Sequence, residues 1–146
     1  MKKYEFTGET KQVGLFGNIT LKRIRATMEF GIIKIGDLGG WIEKEENLSH
    51  EGNAWLYGNA EVCGDAEVFS ISHVLAIGPI GSRNDFTTFF RDKDSEITVK
   101  CGCFLGKIDK FLKKVCETHG DGKYAIVYRT AVEIAKQQID LSEEKQ

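Results

Sequence analysis

Hydrophobic and polar positions recur with three different periods along this chain, and each period predicts a different kind of element. Over residues 1–49 the apolar positions form short alternating runs. Residues 4–7 and 19–26 read as half-buried strands, 30–35 follow, and 36–42 carry a glycine-rich turn up to Trp41. From residue 52 to 81 the period is six, with hexads opening at Gly52, Gly58, Gly64, Ser70 and Ala76. Their fifth position is always aliphatic (Leu56, Val62, Val68, Val74, Ile80) and their third always small (Ala54, Ala60, Ala66, Ser72, Gly78). Six matches neither the helical repeat nor the plain alternation of a hairpin. It suits short parallel strands joined by tight turns and stacked as a solenoid, with the aliphatic residue inward and glycine at the corner.

Alternation returns over 86–91 and 96–104, where Ile97, Val99, Cys101 and Cys103 fall on one face. The last third changes to a helical period. Ile108, Phe111, Leu112 and Val115 predict a helix over 108–119 that stops at Gly120. Tyr124, Val127, Ala131, Ile134 and Ala135 predict another over 123–139, followed by a charged tail at 140–146.

The hexads resemble those of the hexapeptide-repeat, left-handed parallel β-helix family. The strings over 36–52 and 78–119 resemble the flanks of the repeats in small proteins carried by phages and mobile elements of gut and Gram-positive bacteria. The expected fold is therefore mainly β with a C-terminal α+β part. A short left-handed parallel β-helix (50–81) is capped by N-terminal β-strands (1–49) and followed by a ββαα module (82–146). In this reading Gly39-Gly40 is a capping turn anchored by Trp41, preferred over a backbone anion site. Five hexads make fewer than two coils, so the repeats need further buried area. Self-association is one source: family members assemble as trimers, and Trp55, Tyr57 and Phe69 are expected on exposed repeat faces.

Composition narrows the partners. With 41% apolar and 29% charged residues and a net charge of −2, the chain has an ordinary globular balance and no long Lys/Arg run, which argues against duplex nucleic acid. No apolar stretch approaches 18 residues, and the first residues lack the apolar core of a secretory leader. A cytoplasmic protein is expected, in the host bacterial cytoplasm if phage-encoded. Cys63, Cys101, Cys103 and Cys116 then read as reduced, mostly buried thiols. Cys101-Gly102-Cys103 lacks the paired spacing of a zinc site, and neither metal nor cofactor is expected.

The most chemical stretch is 78–85. Gly81, Ser82, Arg83 and Asn84 combine loop amides, a hydroxyl, a guanidinium fork and a carboxamide, a set that can hold a phosphate or carboxylate. Thr87, Thr88, Arg91 and Lys100 on the neighbouring strands extend the candidate site. The competing reading is a joint in which Arg83 ties down loop carbonyls. Neither a Walker nor a Rossmann glycine motif is present. Three histidines bear on catalysis: His50 before the first hexad, His73 in an outward slot, and His119 at a helix end where its cation suits the dipole. None stands beside an obvious carboxylate orienter or nucleophile in sequence. The function expected is non-catalytic binding. The ligand is a small anionic, nucleotide-like signal, or the protein masks a host defence protein, and the resemblance places either in counter-defence. An acyltransferase-like enzyme and a structural assembly module are the alternatives.

Overall fold

The computed structural model describes residues 2–142. Eight strands form two four-stranded sheets, and two helices close the chain. The first sheet runs in the order β1 (Tyr4–Val13), β2 (Ile19–Ala26), β3 (Leu38–Ile42) and β4 (Glu61–Val62). The second is an antiparallel meander of β5 (Val74–Ile80), β6 (Asp85–Arg91), β7 (Ile97–Cys101) and β8 (Phe104–Lys107). Helices α1 (Ile108–His119) and α2 (Lys123–Gln138) pack on one face of the second sheet.

This arrangement is sandwich-like and overturns the parallel β-helix. A β-helix needs the strands of successive coils to stack in parallel. Among the described residues parallel pairing is confined to β3 with β4, through Trp41–Glu61 and Ile42–Val62, and to one bridge between Leu48 and Val68. The first three hexads keep their local geometry. Gly52, Gly58 and Gly64 take φ of +67°, +56° and +58°, and the inward aliphatics Leu56, Val62 and Val68 are buried. The fourth hexad opens with Ser70 in place of glycine, and its side chain accepts from the Ser72 amide to start a 3₁₀ turn at Ile71–His73. From there the chain enters β5, which folds back on β6 through a turn with positive φ at Gly81 and Asn84. The hairpin satisfies the β5 backbone locally, and the six-residue period ends.

Other expectations change with it. Trp55 is buried at 1% exposure, packed edge-on against Phe30, and so gives no interface ring. Gly39 and Gly40 lie inside β3 and are neither a turn nor an anion site. A Cβ on Gly39 would lie 2.6 Å from the Trp55 ring, and one on Gly40 would overlap the Ala60 carbonyl oxygen. His73 is buried instead of outward. The strand expected over 96–104 is split by a turn at Gly102-Cys103, which leaves Cys103 exposed. Of the cysteines, Cys63 is buried and Cys116 is also exposed.

Two cores result. Tyr4, Ile24, Ile42, Trp55, Val62 and Phe90 meet between the sheets, while Phe89, Val99, Phe111, Tyr128 and Val132 meet between the second sheet and the helices. Adjacent Phe89 and Phe90 serve different cores because consecutive strand residues point to opposite faces. The sheet interface is also stitched by backbone bonds, Glu67 N–H to Arg91 O and Lys93 N–H to Asp65 O. Buried charge is compensated. The Lys3 ammonium donates to the Ala54 carbonyl at 2.6 Å. The Asp92 carboxylate accepts from Thr98 Oγ1, Lys107 Nζ and the amides of Asp94 and Glu96.

Candidate functional site

The helix-side face of the second sheet ends in a cleft of about 140 Å³, between the 81–84 turn, the Gly102-Cys103 turn and the two helices. Its floor is aromatic. The Phe104 and Phe111 rings lie 5.4 Å apart, the Phe111 and Tyr128 rings 5.7 Å apart and edge-on, and His119 stacks on Tyr128 at 5.8 Å. Helical spacing builds one wall, because Phe111, Lys114, Val115 and Thr118 share a stripe of α1. Ser82, Arg83, Cys101 and Cys103 line the opposite side.

Gly81 makes the floor possible. Its φ is +77°, and a Cβ there would overlap the Tyr128 hydroxyl. Tyr128 can therefore reach across from α2 to the sheet. Burial raises its phenol above the ordinary value, the adjacent Cys101 acts in the same direction, and hydrogen bonding with Ser82 opposes them. Thr87 Oγ1 donates to Cys101 Sγ at 3.4 Å beneath the cleft.

The charge of the lining is one-sided. Among the described residues Arg83 and Lys114 border the cleft and no carboxylate does, although the whole chain carries −2. Neither cation makes a hydrogen bond or ion pair with a described residue. Arg83 lies over Gly102, with Nη1 2.9 Å from where a Cβ would stand. No bond of Arg83 to a described loop carbonyl supports the structural-joint reading.

The residues singled out from sequence divide between two faces and a turn. Ser82 and Arg83 line the cleft, Gly81 lies beneath it, and exposed Asn84 completes the turn, its backbone N–H donating to the Gly81 carbonyl. Thr87 is on the same face, below Cys101. Thr88 and Lys100, paired across β6 and β7, point to the sheet interface. There Thr88 Oγ1 accepts from the Glu61 amide, and buried Lys100 bonds the Gly102 carbonyl and lies 3.4 Å from Glu61. Arg91 stands at the far end of β6 beside His73 and Ser95. Phe111, Lys114 and Tyr128, from α1 and α2, join the cleft beyond the residues expected from sequence. Their mark in the chain is the 111–114–115–118 stripe, where a lysine and a threonine edge an apolar seam.

The histidines differ in what their ring nitrogens do. His50 Nδ1 accepts from the Lys3 amide at 3.0 Å and its Nε2 faces Glu45 at 3.2 Å, with the ring stacked on Tyr4. His73 Nδ1 accepts from the Phe69 amide and Nε2 meets Arg91, both at 3.2 Å. His119 makes ring contacts with Tyr124 and Tyr128 and lines the cleft. Among the described residues no group of three or more His, Cys, Asp or Glu side chains could hold a metal ion, and no helix is long and apolar enough to cross a membrane.

No protein-family model matches the chain. Over 62 residues it is 36% identical to the uncharacterized acetyltransferase YdcK of Escherichia coli strain K12, a stretch that spans 39% of this chain and 19% of that protein. The similarity is weak and partial, and it hints at the hexapeptide-repeat family. A mobile-element origin and a counter-defence role find no support in the fold or in these comparisons.

Proposed function

We propose that the chain binds a small anionic ligand in the cleft between the 81–84 turn and the helices. Arg83 supplies the directional cation, Lys114 a second charge, Ser82 a hydroxyl, and the aromatic floor holds the body of the ligand. The observation that carries the reading is the pair of cations that, among the described residues, have no polar partner and share a cleft lined by no carboxylate. An arginine that held the fold together would be expected to have a carbonyl or carboxylate within reach.

The test is a thermal-shift series on wild type and Arg83→Ala with acetate, phosphate, benzoate, adenosine monophosphate and acetyl-CoA. Arg83→Ala should melt within about 2 °C of wild type, since no described bond is lost. A ligand at one hundred times its Kd should stabilise wild type by about 2.7 kcal/mol, and the variant much less. Failure of every anion to shift wild type, or strong destabilisation of the free variant, refutes the reading.

Acyl transfer is the second reading, favoured by the partial similarity to an acetyltransferase and by His119 at the cleft. It predicts that acetyl-CoA is the stabilising ligand and that, with a primary amine or alcohol supplied as acceptor, the acetyl group moves to that nucleophile, whose proton passes by way of His119 to the departing thiolate, so that free CoA thiol and acetylated acceptor appear in equal amounts, a transfer that His119→Ala abolishes.

A further inference from the structure

We infer that the ligand of this cleft is a carboxylate carried on a single six-membered ring, an inference that rests on the anion-binding reading above. Size sets the first limit. The cleft holds about 140 Å³, close to the roughly 150 Å³ of an engineered apolar cavity that takes up benzene. A nucleotide, with base, ribose and phosphate, would leave most of its surface outside, whereas one ring fills the space.

The lining sets the second limit. Phe104, Phe111 and Tyr128 form a run of rings at 5.4 and 5.7 Å, with His119 stacked at the end. Phe111 and Tyr128 are buried in that packing, so the half-buried rings of Phe104 and His119 are the aromatic surface left to a ligand, and a flat ring can meet them edge-to-face or offset. Acetate or inorganic phosphate would neutralise Arg83 but cover little of this largely apolar lining.

Charge placement sets the third. Arg83 and Lys114 come from opposite walls, the 81–84 turn and α1, and both stand at the border of the apolar floor. A ring seated on the apolar lining beside Phe104 directs one substituent toward them. A planar carboxylate matches the planar guanidinium fork with two parallel hydrogen bonds. The Ser82 hydroxyl can serve a further carboxylate lone pair.

Titration calorimetry and two-dimensional amide NMR on the full chain test this with benzoate, benzamide, acetate, inorganic phosphate and phenyl phosphate. Benzoate should shift the amides of Gly102, Val115 and Thr118 saturably. It should bind at least tenfold more tightly than neutral benzamide and at least tenfold more tightly than acetate. Arg83→Ala and, independently, Lys114→Ala on the exposed helix surface should each weaken benzoate while leaving benzamide within twofold. Acetate or phosphate matching benzoate overturns the ring and leaves the anion site standing. Benzamide matching benzoate overturns the carboxylate. Phenyl phosphate tighter than benzoate replaces carboxylate by phosphate and overturns the class named here. Absence of binding by every probe overturns both this inference and the reading beneath it.

Discussion

Gly40→Ala is the most demanding test of how the hexads are held. Gly40 lies in β3, where its amide donates to the Leu56 carbonyl and the next amide, of Trp41, donates to the Ala60 carbonyl, both at 2.9 Å. A Cβ at residue 40 would overlap the Ala60 carbonyl oxygen and lie 3.0 Å from the Leu56 Cβ. The obstacle is backbone, so no rotamer change relieves it, and the strand must move away from the hexad. Overpacking costs about 1–3 kcal/mol, and weakening two backbone bonds adds about 1–3 kcal/mol more. We expect a loss of about 2–6 kcal/mol, a fall in Tm on the order of 10 °C for a chain of this size. Gly52→Ala is the control. That site is open, its φ of +67° is the only obstacle, and strain of about 1–2 kcal/mol is expected. Urea titration followed by fluorescence of Trp41 and Trp55 measures both. A Gly40→Ala midpoint equal to wild type, or a larger loss from Gly52→Ala, would refute the close-approach argument.

Three further outcomes are expected. Burial works against ionisation of Asp92, but Thr98, Lys107 and two amides outweigh it and hold the carboxyl below the usual 3.8. Its stabilisation is thus present above that value and lost as pH falls through the lower folded value; Asp92→Asn should cost about 2–3 kcal/mol at pH 7 and flatten the acid limb of a stability-pH profile, and an unchanged limb contradicts this. Burial pushes the Lys3 ammonium from 10.5 down to about 8, so wild type should gain stability relative to Lys3→Met as pH rises from about 8 to 10.5. The comparison with Lys3→Met cancels Cys63, whose thiol burial raises from 9.0 to about 12 and which acts in the opposite sense; a flat difference counts against the buried ammonium. Gly81→Ala should drive Tyr128 off the sheet, lowering Tm by several degrees and abolishing benzoate binding, and retention of binding would place the ligand elsewhere.

Whatever depends on near neighbours is legible along the chain. The 3.6 period located α1 and α2, and Gly120 stops the first, because an amphipathic stripe and a residue tolerant of positive φ are local properties. Alternation located β2 and β6 for the same reason. The hexads also announced their corners, with glycines at positive φ and Leu56, Val62 and Val68 inward. Tertiary structure decided how those corners are used. A six-residue period states which residues turn and which are buried, but not which strand will pair with which. That is set by competition between a parallel neighbour distant in sequence and an antiparallel neighbour one turn away, and from Val74 onward the nearby hairpin wins. The candidate site divides in the same way. Arg83 and Ser82 were legible as a polar turn, while Thr88, Arg91 and Lys100 join other surroundings because strand alternation and distance along β6 separate them from that turn. Lys114, Phe111 and Tyr128 reach the cleft only because the helices fold back on the second sheet, a contact between residues some 30–45 positions apart in the chain that no local pattern encodes.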